Sequence, residues 1–312
     1  MTQIPLISII SPVYKAEAIV DELVKRIKGE VTKITDDYEI ILVEDGSPDR
    51  SWEKIEENCK VDKRVKGIKL SRNFGQHYAI SAGLFESKGE YIVVIDCDLQ
   101  DNPKYIHDLL RKSKEGFDIV YTIKNVREHN KLKNFFANLF HKIFNRLVGN
   151  KNFHGSGQIG SYSLITRKVV DAYCRVSDYR RHYLMILRWL GFSKTYITVE
   201  HEKRFKGKTS YTFHKLIAHA INGITSQTDK LLRLSIYTGF VFALTGFISI
   251  IYIIIKSIRS GFQPGWASVA VLIIFATGLI LISLGIVGIY IGKIFEQVKD
   301  RPLYITDKRV NI

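Results

Sequence analysis

Two uncharged apolar runs constrain this 312-residue chain more than any other feature: Leu234 to Ile255, about 22 residues, and Trp266 to Ile291, about 26. Each is long enough to cross a hydrocarbon layer of about 30 Å as a helix. Backbone in lipid must satisfy its own hydrogen bonds, so such runs fold as helices or not at all. A buried helical hairpin of a soluble protein is the alternative, and it is disfavoured by two such lengths in succession with Tyr237, Trp266 and Tyr290 near their ends. The link between them carries only Lys256 and Arg259 as cations. Lys230 and Arg233 precede the first run, and Lys293, Lys299, Arg301, Lys308 and Arg309 follow the second. By the positive-inside rule both flanks face the cytoplasm. The expected organisation is a cytoplasmic domain over 1–230, a two-helix transmembrane hairpin over 231–292 and a cytoplasmic tail over 293–312. This places a multi-pass protein in the cytoplasmic membrane.

The net charge of +15 calls for anionic partners, whether nucleic acid, phosphorylated metabolites or acidic lipid headgroups. No nucleic-acid recognition motif accompanies it, and the cations gather near the apolar runs and in one late loop, so nucleic acid is not expected. Cys59, Cys97 and Cys174 show neither paired nor zinc-ligand spacing and read as reduced packing residues. The first ten residues lack the charge and length of a secretory signal and run straight into a strand.

From Leu6 to about Lys124, β-branched runs alternate with helical patterns. LISIIS, YEIILVED, KGIKLS, YIVVID and DIVYTI read as strands, and Ile19, Leu23, Val24 and Ile27 mark one of the helices between them. This alternation predicts an α/β, Rossmann-like, mostly parallel sheet. Functional loops then fall where strands end, at 12–17, 44–49, 71–76 and 96–102, and these hold most of the unusual polar residues.

The run Tyr91 to Pro103 stops abruptly on Asp96 and Asp98, followed by Gln100 and Asp101. Such a hard, oxygen-rich set at a strand end suits Mg²⁺ or Mn²⁺ carrying a phosphorylated substrate. Taken alone, a solvated turn capping the next helix explains it as well. Further on, Leu132, Phe135, Phe136, Leu139, Phe140, Ile143, Phe144 and Leu147 share one helical face, with lysines and arginines opposite. A basic amphipathic helix near 131–149 is therefore expected, packed on the core or, with a membrane so near in sequence, lying in the lipid interface. A second α/β portion follows, ending in the basic loop Lys203 to Lys208, and a weakly periodic helix from Thr212 leads toward the first apolar run.

SPVYKAE, VEDGSPDRS, LSRNFGQHYAISAGL and DCDLQDNP, in that order and each after a strand, resemble the family 2 glycosyltransferases of the GT-A fold. The paired apolar runs extend the likeness to the membrane-anchored polyprenyl-phosphate sugar transferases. The resemblance implies that Pro12, Tyr14 and Glu17 grip a nucleoside. It gives Asp45 a contact to base or ribose, with Gly46 allowing the tight turn. Asp96, Asp98 and Gln100 match the metal and diphosphate site, Asp98 being the first choice for direct ligation. Arg72 and Asn73 lie near this crevice by topology. RFKGKTSY resembles a loop that closes over phosphates, with Arg204, Lys206, Lys208, Ser210 and Tyr211.

Three departures stand out. Lys15 and Ala16 occupy positions where many relatives carry Asn-Glu, Ser210 stands where a lysine is frequent, and Ser161 stands where relatives carry an aspartate proposed as base. A sugar hydroxyl acceptor needs a base, whereas a phosphate monoester with a second pKa near 6 is already largely dianionic at neutral pH. The resulting expectation is a metal-dependent, inverting transferase. It moves a sugar, glucose from UDP-glucose favoured and GDP-mannose possible, onto polyprenyl phosphate at a membrane lipid surface. Extension of a lipid-linked glycan is the nearest rival, and a non-catalytic membrane scaffold is the rival of another class. The sequence leaves a homo-oligomer open.

Overall fold

The β-branched runs become strands because each can bury both of its faces. In a computed structural model of the chain, residues 6–124, 159–200, 230–260 and 265–312 are described. Parallel strands β1 (Ile7–Val13), β2 (Tyr38–Glu44), β3 (Val65–Leu70) and β4 (Tyr91–Val94) form the centre of one eight-stranded sheet. β5 (Ile119–Lys124), β6 (Ile159–Thr166), β7 (Lys194–Val199) and β8 (Thr306–Val310) complete it in the order β7-β5-β6-β4-β1-β2-β3-β8. β6 runs antiparallel between β4 and β5, and β8 runs antiparallel along the edge of β3.

Alternation along the central strands sorts their side chains into two cores. Ile9, Ile40, Leu42, Val93 and Ile95 point to one face, under α1 (Val20–Val31), α2 (Ser51–Val61) and α4 (Ile106–Lys114). Ile10, Ile41, Val43, Ile92 and Val94 point to the other, under α3 (Gln76–Glu86), α5 (Arg167–Arg175) and α6 (Tyr183–Leu190). Because β1 to β4 are parallel, all four C-terminal ends open on the same edge of the sheet. That edge carries the loops singled out in the sequence.

The described residues fall into this α/β unit and a helical unit of α7 (Lys230–Ser260) and α8 (Trp266–Val298). Both apolar runs are therefore helices, each longer than the uncharged stretch within it. Phe242 and Phe275 bring the two together, ring centroids 5.4 Å apart. Among the described residues one stretch, Phe275–Val298, is long and apolar enough to cross a membrane, while Leu232–Ile248 is a shorter apolar stretch. The outward residues, among them Phe240, Leu272 and Leu284, are exposed hydrophobics.

The C-terminal tail differs from its sequence reading. Residues 293–298 continue α8, and 306–310 form β8 inside the α/β unit. The free edge of β3 accounts for this: unpaired backbone groups there bind a passing strand whatever its side chains. The amphipathic helix expected near 131–149, the basic loop at 203–208 and the helix expected from Thr212 lie outside the described residues.

Candidate active site

Four loops converge at the C-terminal strand ends, and hydrogen bonds sew them into one surface. After β1, the amide of Lys15 donates to Ser47 Oγ (2.5 Å), that of Ala16 to Ser51 Oγ (3.0 Å) and that of Glu17 to Asp49 (3.2 Å). Asp49 also accepts from Ser51 Oγ at 2.6 Å. Burial raises the Asp49 carboxyl, but the donors from Ser51, Glu17 and Ser47 outweigh it and hold the group below the usual carboxylate range. Asp49 thus ties the loop after β1 to the turn that precedes α2.

Asp45 is almost fully buried. Its Oδ1 accepts from the Phe74 amide (2.7 Å) and its Oδ2 from the Gly75 amide (2.9 Å), while Asn73 Nδ2 donates to its carbonyl (3.0 Å). Burial pushes this carboxyl up, against the pull of the two amides and Arg72. Asp45 therefore holds the loop after β3 as well as facing the cavity. Gly46, at φ +62°, sits so close to that loop that a Cβ would lie 2.2 Å from the Asn73 amide nitrogen. Only glycine fits there, for lack of space as much as for its backbone angle.

After β4 the chain turns through Asp96, Cys97, Asp98 and Leu99. Leu99 has φ +59°, rare for a residue with a side chain, and that side chain is buried in the core. The buried leucine pins the turn in a left-handed conformation costing about 1–2 kcal/mol, which aims its neighbours outward. Asp98 Oδ1 accepts from the Gln100 amide (3.1 Å). Asp96 Oδ1 accepts from two neutral donors, Ser161 Oγ and Gln76 Nε2, each at 2.7 Å. Burial pushes the Cys97 thiol between them up to about 12.

These loops enclose a cavity of about 310 Å³ lined by Pro12, Val13, Tyr14, Asp45, Asn73, Gly75, Gln76, Asp96, Cys97 and Asp98. Of the expected site residues, Pro12, Tyr14, Asp45, Asn73, Asp96 and Asp98 meet here, and Ser161 reaches it through Asp96. Others do not line it. Glu17 turns to the Arg50 amide (3.3 Å) and borders a separate hollow with Lys15, Asp21, Asp49 and Lys54. Arg72 is exposed, with its guanidinium over the Phe74 ring at 4.1 Å. Gln100 supplies its backbone amide to the acidic turn. Arg204, Lys206, Lys208, Ser210 and Tyr211 lie outside the described residues. Gln76 was not singled out, although it closes the 71–76 loop marked in the sequence as functional.

Among the described residues, three carboxylates line the cavity and no lysine or arginine does. Nor does any group of three or more His, Cys, Asp or Glu among them assemble into a metal cage. The Asp96 and Asp98 pair instead suits a hard cation that keeps other positions for water and phosphate oxygens.

A profile of the family described as "Glycosyl transferase family 2" matches residues 8–174, more than half of the chain and all four loops. The chain belongs to glycosyl transferase family 2. Relatives described as glycosyltransferases or sugar transferases align over nearly its whole length. A Bacillus subtilis (strain 168) protein described as "Uncharacterized glycosyltransferase YkcC" is 36% identical over 307 residues, 98% of this chain and 94% of that one. The undecaprenyl-phosphate 4-deoxy-4-formamido-L-arabinose transferase of Proteus mirabilis (strain HI4320) is 32% identical over 314 residues, 98% and 94% of the two chains. Among solved structures, the mannosyltransferase PcManGT from Pyrobaculum calidifontis, in complex with GDP-Man and Mn²⁺, matches with a TM-score of 0.50 at 14% identity. That match covers 96% of this chain and 89% of the other. This family 2 chain is therefore a glycosyltransferase with a GT-A-like α/β fold.

Proposed function

We propose that the chain transfers a sugar from a nucleotide sugar to a polyprenyl phosphate at the cytoplasmic face of a membrane, with inversion at the anomeric carbon. One observation carries the reading: Asp96 and Asp98 share a cavity with the nucleoside-side loops of Pro12, Tyr14 and Asp45. An anionic diphosphate entering alone would meet like charge. Asp96 and Asp98 would hold Mg²⁺ or Mn²⁺, which when bound offsets the diphosphate charge and the charge that builds on the leaving group. Asp98 would be the more direct ligand of the two, the choice the family resemblance implies. Gln76 and Ser161 steady Asp96. Gln100 fixes Asp98 through its amide.

Ser161 donates to Asp96 and offers no carboxylate to take a proton. That favours an acceptor needing none. A phosphate oxygen of a lipid phosphate attacks C1 of the sugar as the C1–O bond to the nucleoside diphosphate breaks on the opposite face. Orientation and charge stabilisation then supply most of the rate. The apolar stretch Phe275–Val298, with α7 as a second span, anchors the enzyme where such an acceptor resides. The undecaprenyl-phosphate transferase relative supports this acceptor class. The sugar is proposed as glucose from UDP-glucose, with GDP-mannose as the other donor to test.

The experiment is a panel of UDP- and GDP-sugars offered with Mn²⁺ or Mg²⁺ to the purified full chain. Undecaprenyl phosphate and glycan-bearing lipid are presented side by side as acceptors. Transfer to undecaprenyl phosphate supports the reading, and transfer confined to the glycan-bearing lipid would replace it.

A further inference from the structure

The C-terminal strand is built into the sheet with more care than an edge cover needs. Gly67 pairs with Val310, Ile68 with Arg309, Lys69 with Lys308 and, after a bulge, Leu70 with Thr306. Asn311 Nδ2 donates to the carbonyls of Cys59 (2.7 Å) and Val65 (2.8 Å), and Arg309 pairs with Glu86 on α3 at 3.0 Å. Tyr304 packs against the core under α3, beside Phe85. One contact goes beyond the strand: the Ser71 amide donates to the Ile305 carbonyl at 2.9 Å. Ser71 opens the 71–75 loop. That loop supplies the Phe74 and Gly75 amides to Asp45, leans its backbone on Gly46, and lines the cavity with Asn73 and Gly75.

We propose that β8 is a positioning element of the nucleotide cavity: Ile305 and its neighbours fix the start of the 71–75 loop, and through it Asp45 and the cavity wall. The family profile ends at residue 174, so this contribution comes from a segment more than a hundred residues beyond it. The chain runs from α8 to Tyr304 through 299–303 alone, so the segment that leaves the apolar helix also completes the site. The inference rests on the proposed function for the identity of the ligand. Its structural half, the hold of β8 on the loop, does not.

The test uses the full chain in detergent or nanodiscs, with UDP and GDP in the presence of Mn²⁺ as probes. The first variant deletes 303–312. The second, Arg309→Ala with Asn311→Ala, leaves the strand present and removes its side-chain ties. Lys308→Ala, at an exposed position, is the control. Amide hydrogen exchange at 71–75 should speed up at least tenfold in both test variants. The nucleotide Kd should rise at least fivefold in the double variant, with the exchange of β1 and β4 unchanged and the control matching the parent. Unchanged exchange at 71–75 in the double variant would overturn the proposal, as would faster exchange there with an unchanged Kd. If the intact chain binds neither nucleotide, the proposed function fails, and the exchange measurement still decides whether β8 holds the loop.

Discussion

Asp96 and Asp98 share a strand end, yet their surroundings divide the work between them. Asp96 is held by two neutral donors on one oxygen, while Asp98 accepts the Gln100 amide in its own turn. Asp98→Ala should reduce metal-dependent turnover on the order of 100-fold or more, the scale of losing a contact that stabilises developing charge. Circular dichroism and membrane insertion should stay at parental levels, because the side chain lies at a partly exposed turn. Ser161→Ala removes a described donor to Asp96 and leaves Gln76 in place. With a net hydrogen bond worth about 0.5–1.5 kcal/mol, kcat/KM should fall roughly three- to tenfold, and full parental kcat/KM would show that Asp96 needs no such support. Away from the site, Asp62 bonds Lys28 (2.9 Å) and Arg64 (3.1 Å). Burial raises its carboxyl, but Arg64 and Lys28 outweigh that and hold it well below the usual range. A folded value below the unfolded one means that ionised Asp62 stabilises the fold above about pH 4, a contribution lost as pH falls toward the lowered folded value. Asp62→Asn should therefore cost about 1 kcal/mol at pH 7, kept small because solvent reaches both cationic partners and screens the pairs. The cost should shrink in urea titrations run at progressively lower pH.

At the scale of elements, what could be read early depended on whether the signal was local. Val93, Val94 and Ile95 are β-branched and end on carboxylates, so strand, edge and acidic turn were all legible in one stretch. Asp45 was placed at a strand end correctly, but its two bonds to the 71–75 loop depend on β3 lying beside β2, which no local pattern states. Glu17 lies three residues from Tyr14 in sequence, and the left-handed turn at Lys15 (φ +53°) accompanies its departure to the Arg50 amide. β8 was illegible because Thr306–Val310 is mostly polar; the free edge of β3, not propensity, makes it a strand. Asn311 ties that strand to two carbonyls. Asn311→Ala should lower unfolding free energy by about 1–2 kcal/mol, read as a lowered urea midpoint with unchanged slope. An unchanged midpoint would mean that the side-chain ties contribute nothing to the strand's seat.

For the whole molecule, the sheet edge, the family and the helical C-terminal segment were legible because motif order and apolar length survive without coordinates. The division of labour was not. The α/β unit is assembled from both ends of the chain, with the apolar helices inserted between β7 and β8, so the two are interleaved in sequence. A chain truncated after Lys230 would therefore lose a strand of the sheet as well as the apolar helices. The central claim is that a hard cation held by Asp96 and Asp98 lets an acidic cavity present a nucleotide sugar to a lipid phosphate. The most direct measurement is radiolabelled sugar transfer from UDP-glucose or GDP-mannose to undecaprenyl phosphate by the purified full chain, with Mn²⁺ and again with excess chelator. The account predicts a lipid-extractable labelled product with the metal and none with chelator or in Asp98→Ala. Equal transfer under chelation, or no consumption of either donor with metal and lipid phosphate both present, would contradict it.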